Sequence, residues 1–244
     1  MESITIWFSN ILERYYDALI PEKRYLAYLN GLKITIEISL LAVLIGVLIG
    51  IIIAVIKVSA PSYNGKKWAS NLLRVGEKIC NLYVTIIRGT PVMLQLLIIY
   101  NLIFTARNTN EVLVGAICFG INSGAYVAEI VRAGIESVDK GQNEAGRTLG
   151  FNYIQTMTYI VMPQAVRNIL PALGNEFIAL IKETSVASVI AVTDILKASQ
   201  YVGSRTYDIL PPLIIAACFY LVMVIGLSKL LEKFGRRLGE NDRN

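Results

Sequence analysis

Histidine is absent from all 244 residues. That removes the side chain most used for general-base chemistry near neutral pH and the commonest metal ligand. The phosphate-cradling pattern G-x-x-x-x-G-K-[ST] is also missing, so the chain has no usual means of holding ATP. Charge is scarce, at 17 % of residues against roughly 25 % in an average soluble domain. Three cysteines, Cys80, Cys118 and Cys218, are odd in number, lie in or beside apolar stretches and lack metal-ligand spacing; they read as buried free thiols. No stretch rich in Pro, Gly or Ser divides the chain, which implies one domain. A Ser-Lys arrangement is the enzyme chemistry left, and no motif supports it.

What is present is apolar: 55 % hydrophobic residues and a mean hydropathy of +0.55. Several segments approach or exceed the roughly 20 apolar residues that cross a bilayer. The first runs from about Leu32 to Ile56, with an uncharged core. A basic stretch follows, Lys57, Lys66, Lys67, Arg74 and Lys78 against the single acid Glu77. By the positive-inside rule it marks the cytoplasmic side, so the N-terminus is expected outside. The second span, Ile79 to Phe104, is broken at Arg88-Gly89-Thr90-Pro91, where proline removes a donor and disfavours helix before it; neither half alone is long enough to cross. The third, Val112 to Val131, carries Gly115, Gly120 and Gly124, which permit close helix packing in lipid. The fourth, Ile154 to Ile181, contains Pro163 and Pro171, and the fifth, Leu210 to Leu231, leads into Lys233, Arg236 and Arg237. The expectation is an all-α polytopic protein with five transmembrane helices, N-terminus outside and C-terminus cytoplasmic. Residues 1–30 form an amphipathic outer segment without the pattern of a cleavable signal, 31–231 the membrane domain and 232–244 a basic tail. The net charge of +5 is spent flanking spans, so no nucleic-acid partner is expected.

Between the third and fourth spans lies Glu144-Ala145-Gly146, then Gly150, Ile160 and Met162-Pro163. The spacing closely resembles the EAA loop of ABC importer permeases, departing at Gly146 for Ala and Met162 for Leu. The strings RGTPVMLQL from Arg88, NSGAYVAEIVRAGIESVDKGQNEAGRTLGF from Asn122, LPALGNEF from Leu170 and IKETSVASVI from Ile181 resemble the polar amino-acid branch, the histidine, arginine, lysine and glutamine permeases. The resemblance implies a MetI-like core working as a dimer with a second permease subunit, here expected to be a copy of itself. It implies two copies of a separate ATP-binding subunit, an extracytoplasmic amino-acid-binding protein, and location in the cell membrane. No cofactor is expected on this chain; ATP and Mg²⁺ belong to the ATPase.

The loop, about residues 138–152, supplies the coupling candidates Gly141, Glu144, Ala145, Gly146, Arg147 and Gly150. Small Ala145 and Gly146 would let a short helix approach an ATPase cleft, Gly141 and Gly150 would bracket it with turns, and Glu144 would cap or pair with a basic group. Passage of a zwitterion needs polar groups at membrane depth. Asn122 and Tyr126, with Ser123 beside them, share a helical face with Glu129; Gln95 either contacts substrate or bonds helix to helix. Glu176 lies beyond Pro171, and Thr184 and Ser185 follow, with capping as their plainer reading. Glu77 opens a polar stripe through Asn81, Thr85 and Arg88 that also reads as a solvated face. Glu37 is placed to pair with Lys33, and Glu129 with Arg132.

Acid count alone leans toward a basic amino acid, arginine, lysine or histidine, with glutamine or glutamate as the alternative. An ion-coupled secondary transporter is the alternative of another class, against which stands the lack of an inverted internal repeat.

Overall fold

The computed structural model describes residues 2–62, 65–103 and 110–240. The expected end of the second span at Phe104 and the last residues of the basic tail lie outside them. Among the described residues the chain is helical throughout, with no strand.

Helix α1, Glu2–Leu19, lies against the start of the membrane domain. A bidentate pair ties it down, Arg14 Nε to Asp208 at 2.6 Å and Nη2 at 3.0 Å. Buried Ala18 packs with Tyr28, Val202 and Ile215, and Tyr28 stacks on Phe219 with ring centroids 6.1 Å apart. Helix α2 runs Tyr25–Ser62, beyond both ends of the expected 32–56 span; Asn30-Gly31 does not end it, because Gly31 is packed against the backbone of Asp194 and Ile195, where a Cβ would sit 2.7 Å from Asp194 O. Lys33 and Glu37 pair across one turn at 3.6 Å, as expected.

Helix α3, Lys67–Gly89, and helix α4, Val92–Ile103, meet at a bend of 112°. The break falls at the expected proline. Thr90 is extended (φ −123°, ψ 148°), the conformation that a residue before proline prefers. The carbonyls orphaned at the end of α3 are satisfied from the side: Thr90 Oγ1 donates to Ile86 O at 2.8 Å, and Gln95 Nε2 donates to Ile87 O at 2.7 Å.

Helix α5, Glu111–Glu136, starts at Asn110, whose Oδ1 accepts from Val112 N and Leu113 N. It runs parallel to α2 and forms the central packing of the chain. Gly115 meets Ile38, Gly120 meets Ile45, Gly124 meets Ile49, and from the other side Gly50 meets Val127. Small residues let the backbones approach, the main source of helix attraction where lipid is as apolar as leucine.

Helix α6, Lys140–Thr148, and the single turn α7, Tyr153–Thr156, lead through a π-helical turn, Met157–Val161, into α8, Met162–Glu183. Helix α8 continues through Pro171. A 3₁₀ turn, Thr184–Ile190, precedes α9, Ile195–Thr206, and α10, Leu210–Glu240. Asp194 caps α9, accepting from Lys197 N at 2.9 Å and from the Tyr220 hydroxyl at 3.1 Å.

By length and composition, α2, α5 and α10 can each cross a bilayer, and α3 with α4 can do so as one broken span. The expected fourth span, now α7 to α8, does not meet that criterion because Arg167, Asn168, Asn175 and Glu176 dilute it. Cys80 and Cys118 are buried as expected, but Cys218 is exposed. It lies on α10, most of whose surface the rest of the chain leaves uncovered.

Candidate functional site

The loop between α5 and α8 is built by caps at every joint. Asp139 accepts from Gly141 N at 2.7 Å and starts α6. At the other end Gly150 N donates to Arg147 O and Phe151 N to Gly146 O, both at 3.0 Å. That is a Schellman stop with Gly150 in the left-handed conformation, φ 83°, where a Cβ is penalised. Asn152 and Gln155 then form a reciprocal capping box that starts α7. The geometry bears out the turn expected at Gly150. It corrects the one expected at Gly141, which is the second residue of α6; a Cβ there would sit 2.8 Å from Asp139 Oδ1.

Gly146 is corrected as well. It is buried against the chain itself: a Cβ would meet Thr156 Cγ2 at 2.7 Å and Ile160 Cδ1 at 2.9 Å. Its smallness seats α6 on the following helix instead of opening α6 to a partner. Glu144, Ala145 and Arg147 are exposed, and neither Glu144 nor Arg147 forms an ion pair among the described residues.

The second cluster lies where α4, α5 and α8 meet. Asn122 Nδ2 donates to Gln95 Oε1 at 2.8 Å, and the amide nitrogen of Gln95 turns to the end of α3. One residue along, the Ser123 hydroxyl donates to Glu176 Oε1 at 2.8 Å. Four expected residues therefore form two hydrogen-bonded pairs side by side. Tyr126 is partly exposed, one turn from Asn122, with the Arg88 guanidinium 5.5 Å above its ring.

The other expected residues stand apart from these pairs. Thr184 and Ser185 donate to Ile181 O and Lys182 O, each at 2.7 Å, the plainer helix-end role. Glu77 sits half-buried on α3, where no hydrogen bond joins it to Gln95 or Glu176 among the described residues. Arg132 pairs with Glu129 at 2.7 Å as expected, but Lys57 does too, at 2.5 Å, and Arg88 stands 3.9 Å away. Sequence reading counted Lys57 only as a flanking charge; nothing local in the sequence marks a partner 72 positions away. Asp194 and Tyr220 were also missed, although an aspartate opening a helix is a signal that could have found the first of them.

This arrangement offers donors and acceptors inside packed helices and no activated nucleophile, the chemistry of passage rather than of bond making. Residues 42–240 match the family model described as the binding-protein-dependent transport system inner membrane component. The chain belongs to that family. This permease is 39 % identical over 218 residues to the putative glutamine transport system permease protein GlnP of Rickettsia prowazekii (strain Madrid E), covering 86 % of this chain and 93 % of that one. It is 35 % identical over 229 residues to the arginine transport system permease protein ArtQ of Bacillus subtilis (strain 168), covering 93 % and 98 %. Among solved structures it is similar to the crystal structure of an amino acid ABC transporter with histidines, at 43 % identity and TM-score 0.79 over 88 % of this chain and 95 % of that one. The MetNI methionine transporter, at 15 % identity and TM-score 0.74 over 90 % and 99 %, shares the fold.

The permease thus has the all-helical MetI-like fold and is a multi-pass inner-membrane subunit of an ABC importer of polar amino acids. It is not itself catalytic. An ATPase and a substrate-binding protein accompany such a subunit in general.

Proposed function

We propose that this permease passes a cationic amino acid, arginine, lysine or histidine, inward through a dimer of two copies. ATP and Mg²⁺ bind on two copies of a separate ATPase, and an extracytoplasmic binding protein delivers the substrate. Five crossings, N-terminus outside and C-terminus inside, place α6 on the cytoplasmic side. There Glu144, Ala145 and Arg147 face the ATPase from a helix held rigid by caps at both ends, with Gly141, Gly146 and Gly150 shaping its seat. Nucleotide-driven closure of the ATPases then moves α6 and tilts α8, a hinge or shear transition.

The observation that carries the cationic preference is Glu176. Among the described residues no lysine or arginine lies within ion-pair distance of it, whereas three cations surround Glu129. A half-buried carboxylate that accepts from Ser123, has Glu183 as a charged neighbour and has no cation paired to it among the described residues suits a ligand that brings its own positive charge. A relative named for arginine transport is consistent with this. Glutamine is the second reading, favoured by the amide pair of Asn122 and Gln95 and by relatives named for glutamine.

The test is uptake of labelled arginine into proteoliposomes holding the permease, its ATPase and the binding protein, with unlabelled amino acids in excess. ATP-dependent uptake suppressed by lysine or histidine, and weakened by Glu176→Gln, supports the proposal. Suppression by glutamine alone moves the substrate to the second reading. Uptake that ignores ATP and collapses with a protonophore points to an ion-coupled carrier.

A further inference from the structure

Arg88 lies in the last turn of α3 beside the 112° bend, and its surroundings leave it unsatisfied. A guanidinium has five N–H donors in a planar fork. Among the described residues Arg88 makes no hydrogen bond; its neighbours are the Tyr126 ring at 5.5 Å and Glu129 at 3.9 Å. Glu129 is already taken by Lys57 at 2.5 Å and Arg132 at 2.7 Å, so its charge is more than balanced without Arg88.

Depth makes this unusual. Gln95 bonds Ile87 O, next to Arg88, and Asn122 at the same time. Asn122 lies about 17 Å along α5, near its middle, at 1.5 Å per residue. The backbone of Arg88 is therefore level with the middle of a helix long enough to cross the bilayer, yet 46 % of its side chain is exposed. The guanidinium reaches one to two turns further along α5, to Tyr126 and Glu129, still within that helix, and a cation held there faces a polar cavity or another chain rather than lipid tails. The guanidinium lies over the Tyr126 ring, one turn along α5 from Asn122 and Ser123, whose bonds to Gln95 and Glu176 form the polar cluster.

Every amino acid carries an α-carboxylate, whatever its side chain, and an arginine fork matches a carboxylate with two parallel hydrogen bonds. We propose that Arg88 binds the substrate's α-carboxylate, so that it reads the part common to all amino acids while Glu176 reads the variable part. In the empty permease the guanidinium rests over Tyr126, its charge loosely matched by Glu129. Releasing it costs little, because Lys57 and Arg132 keep Glu129 paired. The proposal rests on the amino-acid reading above.

The experiment uses the permease–ATPase complex in lipid nanodiscs without the binding protein. It measures binding of labelled arginine and lysine beside their decarboxylated counterparts, agmatine and cadaverine. Two charge-assisted hydrogen bonds predict that the wild-type complex prefers each amino acid by about a hundredfold or more. In Arg88→Gln the amines are expected to bind as before and the amino acids no better than the amines. Agmatine binding reports that the site is intact, and if this variant binds neither ligand, Arg88→Lys decides, because it keeps the charge without the fork. An unchanged ratio of arginine to agmatine in either variant overturns the proposal. Failure of the wild-type complex to bind any amino acid overturns the amino-acid reading itself.

Discussion

Replacing Gly146 by alanine brings the chain to the residue that the EAA pattern carries at this position, and intrinsic propensity favours the change by about 1 kcal/mol. The packing opposes it. The new methyl would lie 2.7 Å from Thr156 Cγ2 and 2.9 Å from Thr156 Oγ1, so rotating Thr156 about χ1 exchanges one clash for the other. Ile160 Cδ1, at 2.9 Å, is the far end of a flexible side chain and can move. Overpacking of this kind costs about 1–3 kcal/mol, which leaves a net loss of about 1 kcal/mol in the seating of α6. Thr156→Ala removes both obstructing atoms, and the hydroxyl it deletes is buried without a hydrogen-bond partner among the described residues, so its removal orphans nothing. The double variant is therefore expected to regain the loss. Amide exchange of α6 in the complex reads local opening directly, and a loss of about 1 kcal/mol appears as about fivefold lower protection. ATPase-coupled uptake is expected to fall with protection and to recover in the double variant. Higher protection in Gly146→Ala than in wild type, with Thr156 intact, would refute the argument that α6 is seated by contact at Gly146.

Glu129→Gln strands Lys57, only 12 % of whose side chain is exposed, and is expected to lower stability by about 3 kcal/mol; Glu136→Gln, on a side chain 58 % exposed, is expected to cost under about 1 kcal/mol, both read as thermal unfolding of the detergent-solubilised complex. The hydrogen bonds and charge of Arg14 hold the Asp208 carboxyl below its ordinary value, and Asp208 raises that of Arg14. A depressed carboxylate stabilises above its unfolded value, near about 3.9, and loses that contribution as pH falls through the folded one. Docking of α1, followed by a fluorophore on it, is expected to be constant from neutral pH to about 5 and to loosen below about 4, whereas Asp208→Asn should be loosened and flat across that range. Among the cysteines, an apolar maleimide is expected to label Cys218 quickly and Cys80 and Cys118 slowly; equal labelling of all three would contradict the burial described.

Sequence reading was strongest where a local chemical constraint acts alone. The uncharged run from Ile38 to Ile56 had to be helix, Pro91 had to break α3 from α4, and Gly150 had to turn the chain, because lipid, a missing N–H and a positive φ each leave few options. It was weaker where the answer lies in what a residue faces. Gly141 and Gly146 were placed in the right loop, yet their tight neighbours, Asp139 Oδ1 and Thr156, follow from packing that spacing does not encode. Cys218 resembles Cys118 in sequence, but α10 is covered on fewer sides than α5. The pairing of Asn122 with Gln95 and of Ser123 with Glu176 joins residues 27 and 53 positions apart. Helical spacing could nominate those side chains one helix at a time; only the fold could introduce them to each other. Glu77, nominated from a polar stripe on its helix, and Thr184 and Ser185, nominated as polar residues following Glu176, joined neither pair.

The glycine-lined contact between α2 and α5 has a mechanical corollary. At Gly50, Gly120 and Gly124 the facing side chains press against bare backbone, so neither helix can slide or roll by a fraction of a turn without collision. The two behave as a single stiff strut. Any movement that opens one side of the membrane and shuts the other must be borne by parts joined less tightly to it: the proline elbow between α3 and α4, and α8 with the π-helical turn at its foot. A crosslink tying α2 to α5 would then leave transport untouched, while one tying α8 to α2 would arrest it.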